Sequence, residues 1–150
     1  MAGLVALAKA SPRIRMNLDL RNGPEDLSQR MLNALEPGTV MPIHRHLSSS
    51  ETVAIIRGKN RWHFYDDAGN RVESALLDAH GDLRCLNVEK GRWHSLECLE
   101  SGSVLYESKK NQGEESGGQR IRGTGTFIHS LYTNKHNIFP QESLSKCSLS

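Results

Sequence analysis

The feature that most constrains this chain is its punctuation. Between Met16 and Ser108, short runs with apolar residues alternate with clusters of Gly, Pro, Asp, Asn and Ser. Runs at 31–35, 40–46, 51–57, 61–66, 71–77, 83–88, 94–99 and 104–108 each fit a strand and are too short for a helix of ordinary length. The breaks carry turn chemistry. In Glu36-Pro37-Gly38 the proline fixes φ and the glycine can take a positive φ, and Asp67-Ala68-Gly69-Asn70 reads as a hairpin turn, so that 51–77 reads locally as a meander. Gly58, Glu89-Lys90-Gly91 and Glu100-Ser101-Gly102 supply the other corners. About eight closely spaced strands predict an antiparallel sandwich or small barrel.

The ends differ from this middle. Residues 3–10 predict a short helix with Leu4 and Leu7 on one face, stopped by Ser11-Pro12. Ala8-Lys9-Ala10 superficially resembles a signal cleavage site, but no basic segment precedes it and the apolar run before it is short, so a structural helix is the better reading. Residues 112–126, rich in Gly, Ser, Glu and Arg without a period, read as a solvated linker, and the end beyond 141 as frayed. Between them, Phe127, Ile128, Leu131, Tyr132 and Ile138 could dock on the domain or on a partner. The expected layout is a helical segment over 1–10, one domain over 11–110 and an irregular tail over 111–150, with limited proteolysis cutting first between 112 and 125.

Composition narrows the function. The net charge is +2 with both signs interspersed, and aromatic residues make up 5%. That leaves no basic stripe for phosphates and few stacking platforms, which argues against nucleic acid. No apolar stretch approaches the ~20 residues that span a bilayer, and mean hydropathy is −0.53, so no membrane insertion is expected. Three cysteines, Cys85, Cys98 and Cys147, show no C-x-x-C spacing. This fits a reducing, cytoplasmic setting better than a disulfide framework.

The chemistry lies in the histidines. Five residues separate Gly38 from His44, one separates His44 from His46, four precede Glu51, and six more lead to Gly58. In a strand, side chains two apart point the same way with Cα atoms about 7 Å apart, so His44 and His46 can converge on one ion. Residues 47–50 let the chain turn, and Glu51 opens the next strand on the same interior face. A fourth ligand should come from a distant strand, and His94, in Gly91-Arg92-Trp93-His94, is the candidate, with Leu96 and Cys98 on its face and Trp93 facing away. Three imidazoles and a carboxylate suit a divalent transition ion such as Zn, Fe, Mn or Ni, and also Co or Cu, and suit Ca or Mg poorly. His63, His80, His129 and His136 have no such companions. Trp62 and Phe64, on one strand face, read as core.

Gly38, His44, His46, Glu51 and Gly58 match the first motif of the cupin superfamily, and Gly91 and His94 match the core of its second. The resemblance implies a double-stranded β-helix, the jelly-roll or cupin barrel, with a three-His, one-Glu metal site. Glu89 stands where that second motif usually has Pro, and Cys98 where it often has Asn. Further similarity, through Ser11-Pro12-Arg13-Ile14-Arg15, the stretch from Gln29 to Thr39, Pro42-Ile43-His44-Arg45-His46 and Val104-Leu105-Tyr106-Glu107 with Lys109, resembles the WbuC-type cupin-fold metalloproteins over about residues 11–110. That resemblance implies a small-molecule ligand, sugar-derived or nucleotide-sugar in type, in polysaccharide (O-antigen) metabolism. It also makes Arg30, Asn33 and Glu107 candidate substrate-binding residues, although the alternation of a regular strand prevents Arg30 and Asn33 from both facing inward. An isomerase- or epimerase-like enzyme, an iron-dependent dioxygenase and a non-catalytic metal-stabilised binding or dimerisation module all fit these residues. Exposed sheet edges favour a homodimer.

Overall fold

The structure, a computed structural model, describes residues 1–110 and 119–120. One helix, α1 (Ala2–Ala10), precedes ten strands: β1 (Arg15–Asp19), β2 (Ser28–Leu35), β3 (His44–Arg45), β4 (Glu51–Arg57), β5 (Lys59–Tyr65), β6 (Arg71–Asp78), β7 (Cys85–Val88), β8 (Trp93–Cys98), β9 (Ser103–Lys110) and β10 (Gln119–Arg120). They form two five-stranded antiparallel sheets, ordered β1-β2-β9-β4-β7 and β10-β3-β8-β5-β6. From β2 to β9 the chain passes back and forth between the sheets. Only β5 and β6, joined at Asp66–Asn70, form a hairpin of sequence neighbours within one sheet in that stretch. The expected meander is therefore a single hairpin inside a jelly roll. Gly58 and Gly91 turn the chain from one sheet to the other at φ +79° and +81°, where an L-residue is strained.

Register decides which side chains face the core, because directly paired residues share a face. On the first sheet, the row Gln29–Lys109–Glu51–Val88 faces inward, followed by Met31–Glu107–Val53–Leu86 and then Asn33–Leu105–Ile55. On the second, the inward rows are His44–His94–Phe64, Leu96–Trp62–Ala75 and Cys98–Asn60–Leu77. Leu35, Val53, Ile55, Trp62, Phe64, Leu77, Val88, Leu96, Cys98 and Leu105 make the apolar core between the sheets. The core fills one end of the sandwich and leaves the three histidines facing Glu51 and Lys109 at the other.

A second cluster lies outside. Leu4, Val5 and Ala8 of α1 cover Ala34 and Val104, flanked by Met16, Leu18 and Leu32. Nine residues are too few for an isolated helix to be stable, so α1 owes its order to this packing. Its buried stripe is Leu4, Val5 and Ala8, and Leu7 is exposed, against the expected Leu4/Leu7 face. The run at 40–46 also departs from expectation: only His44–Arg45 pair as strand, Val40 is 79% exposed, and Pro42 has no N–H to donate to a ladder. Strand β1 and the short β10, which pairs with β3, were not expected from sequence. The linker over 112–126, apart from 119–120, the docking segment at 127–138 and the frayed end lie outside the described residues. No helix among the described residues is long and apolar enough to cross a membrane.

Candidate metal centre

Two histidines reach the site from β3 and its C-terminal extension, and a third from the strand beside it. His44 pairs directly with His94 in the ladder, and the backbone of His46 is fixed by a hydrogen bond from Gly91 N–H to its carbonyl at 2.8 Å. His44 and His94 ring centroids are 4.2 Å apart, His44 and His46 5.1 Å, and His46 and His94 5.5 Å. One ring nitrogen from each lies within 4.8 Å of the others. His94 is 1% exposed and stacks on Trp62.

Glu51 approaches from the opposite sheet. It opens the next strand in sequence, but that strand belongs to the other layer, so the carboxylate faces the imidazoles across the sandwich. Its Oε2 lies 3.4 Å from His46 Nε2 and 3.5 Å from His94 Nε2. Lys109, beside Glu51 in the inward row, places Nζ 3.2 Å from His46 Nε2 and 3.6 Å from Glu51 Oε1.

Hydrogen-bond partners fix the tautomers. His44 Nδ1 lies 2.9 Å from the Pro42 carbonyl, and His94 Nδ1 lies 2.9 Å from the Arg92 carbonyl. A carbonyl only accepts, so both rings carry their proton on Nδ1 and turn an Nε2 lone pair inward. The Lys109 ammonium only donates, so His46 Nε2 is an acceptor as well. Burial pushes the His44 imidazole down to about 4, with the neighbouring His94 ring acting the same way, so His44 is neutral at physiological pH. For Glu51, burial raises the carboxyl; the ring nitrogens of His46 and His94 lower it only when they carry a proton toward it, so with both Nε2 atoms unprotonated it is the Lys109 ammonium, 3.6 Å from Oε1, that favours the ionised carboxylate.

Three lone pairs and a carboxylate thus face one another, with His94 and Glu51 buried and His44 and His46 partly exposed. His94 Nε2 is buried and makes no hydrogen bond. The Lys109 ammonium answers His46 and Glu51 but leaves His94 Nε2 unmatched, and a donor set of three imidazoles and one carboxylate fits a borderline divalent ion. The carbonyl-bound Nδ1 atoms also supply the outer hydrogen bonds that orient ligating imidazoles.

The other sequence candidates separate. Asn33 and Glu107 face inward on the first sheet, two residues apart across the β2–β9 ladder, with the Asn33 amide acting to lower the Glu107 carboxyl. Burial, reinforced by the Glu51 charge, raises Glu107 to about 8. Arg30 faces outward, in the row with Ser108 and Thr52, and pairs with Asp26. Trp93 also lies on the outer face, its Nε1–H donating to Asp67 at 3.0 Å under the Arg45 guanidinium. His63, on that outer face, contacts Ser74 and Glu97 and takes no part in the site. Lys109 is the site residue that sequence reasoning left without a role. The signal was the alternation Leu105, Glu107, Lys109, which carries it onto the face of its two predecessors.

Two crossing antiparallel sheets with these donors at one end define a cupin-fold protein with a candidate metal centre. Solved structures agree on the fold. The capsular polysaccharide assembling protein CapF from Staphylococcus aureus superposes at TM-score 0.59 with 16% identity, over 71% of this chain and 29% of that one. Oxalate oxidase in complex with the substrate analogue glycolate gives 0.58 with 15% identity, over 75% and 58%. The oxalate decarboxylase formate complex from Lactobacillus farciminis gives 0.51 with 15% identity, over 65% and 28%. This chain therefore spans less than two thirds of each of these proteins, and at such identities the likeness is one of fold. No curated protein matches the sequence. The chain belongs to the family described as Domain of unknown function (DUF6016), whose model matches residues 1–77. That match includes His44, His46 and Glu51 and stops short of His94 and Lys109.

Proposed function

We propose that this protein is a metal-dependent, small-molecule-binding cupin of the WbuC type, holding one divalent transition ion, Zn, Fe, Mn or Ni, through His44, His46, His94 and Glu51. The observation that carries the reading is the convergence of three inward Nε2 lone pairs on an ionised Glu51, with one of those nitrogens buried and unpartnered. The bound ion would act as a Lewis acid on an oxygen of the ligand. The chain itself supplies the walls and the proton inventory. Burial and the Glu51 charge keep a proton on Glu107 at neutral pH in the metal-free protein. Trp62 and Phe64 close the inner end against water.

A sugar-derived ligand is the class to which the WbuC-type resemblance points, and CapF, a capsular polysaccharide assembling protein, shares the fold. The working unit is the domain over 11–110 with α1 packed on its outer face, acting as a cytoplasmic homodimer. Elemental analysis of the purified protein tests the reading: one equivalent of transition metal per chain is expected, lost in His44→Ala, His46→Ala, Glu51→Ala and His94→Ala. Full occupancy in His44→Ala and His94→Ala would overturn it.

A further inference from the structure

We propose that Lys109 is a ligand-positioning residue that selects small anions, carboxylates in particular, by binding the charged group of a ligand whose other oxygen reaches the metal. The inference rests on the metal reading above. Lys109 faces inward in the row of Glu51, and its ammonium lies 3.2 Å from His46 Nε2 and 3.6 Å from Glu51 Oε1. The His46 lone pair cannot serve both the ammonium and an ion. When the ion takes it, Lys109 keeps Glu51 Oε1 and has donors left over, pointed into the same space.

Charge then dictates what joins them. A divalent ion and an ammonium meet Glu51 and Glu107, so even with both carboxylates ionised the cluster retains one positive charge. Two cations held a few ångströms apart repel strongly in a poorly solvated site unless an anion lies between them. A carboxylate does this with two oxygens, one for each cation.

Access follows the same direction. The Lys109 side chain is 19% exposed against 3% for Glu51 and 1% for His94, so it meets solvent where the carboxylate and the deepest imidazole do not. The ammonium is thus at the solvent end of the cluster, where an entering anion meets it before the metal. A lysine serving only to balance Glu51 would lose that purpose once the ion bound.

The test uses the full chain loaded with Co(II), titrated with glycolate and with its neutral analogue glycolamide, and followed by the visible Co(II) spectrum. Lys109→Gln should keep one Co(II) per chain, bind glycolate about 10- to 100-fold more weakly, the worth of one charge-assisted hydrogen bond, and bind glycolamide as the wild type does. Lys109→Arg should recover most of the glycolate affinity and guards against a Gln variant that misfolds. Equal glycolate affinity in wild type and Lys109→Gln at full Co(II) occupancy overturns the assignment, as does an equal loss for glycolamide or a wild-type spectrum indifferent to glycolate. A wild-type protein that binds no Co(II) overturns the metal reading and this assignment with it.

Discussion

Gly58→Ala should be the most damaging single methyl addition among the described glycines. Gly58 sits at φ +79°, and a Cβ built there would lie 2.2 Å from Ser103 Oγ and 2.9 Å from Ser103 Cα. Left-handed backbone costs an L-residue about 1–2 kcal/mol. Relief of the clash must move a buried strand residue whose hydroxyl accepts from Lys59 N–H at 3.0 Å and donates to the Glu100 carbonyl at 2.7 Å. Each bond is worth about 1 kcal/mol. The total is about 3–4 kcal/mol, a large share of the roughly 5–15 kcal/mol that holds a domain together. Gly91→Ala is the control, since it shares the backbone strain at φ +81° and has nothing within 4 Å of its Cβ. It should lose only about 1–2 kcal/mol. Urea unfolding of the metal-free protein measures both. Equal losses, or a Gly58→Ala protein within about 1 kcal/mol of wild type, would mean that Ser103 does not wall this corner.

Other consequences follow from the same structure. Glu107 is raised to about 8, above its ordinary 4.5, so the unfolded chain gives up this proton first; metal-free stability is full below about pH 4.5 and falls as pH rises toward about 8. The fall should amount to roughly 2–4 kcal/mol across that window, and Glu107→Gln should flatten it; identical slopes in urea unfolding at pH 5, 6.5 and 8 would contradict this. Leu4→Ala removes a buried anchor of α1 from the outer face and should cost about 2–3 kcal/mol in urea unfolding, with metal content unchanged. His63→Ala, on the far side of β5 from the site, should also leave metal content unchanged and shift stability by no more than about 1 kcal/mol.

What the sequence disclosed has a common physical basis: it was local. The His44-x-His46 spacing, the outward turn of Trp93 and the inward Trp62 and Phe64 follow from the two-residue period of a strand. The turns at Gly58 and Gly91 follow from residues that tolerate positive φ. The layer each strand joins did not follow, because a turn signal says that the chain reverses and not which sheet receives it. Glu51 was therefore expected beside the histidines and stands opposite them. Strand β1 was overlooked because its apolar residues, Met16 and Leu18, face α1 and not the main core. The buried face of α1 shifted from Leu7 to Val5 and Ala8 because the strands beneath decide which side of so short a helix is covered. Lys109 acquires meaning only through its register with Glu51, a contact across 58 positions of chain.

X-ray absorption at the metal edge of the loaded protein reads out the ligands of the ion themselves. One ion per chain is expected, with three imidazole nitrogens and a carboxylate oxygen bound, and loss of imidazole scattering in His94→Ala. A sulfur ligand, or an ion whose imidazole signal is unchanged in His94→Ala, would contradict that ligand set.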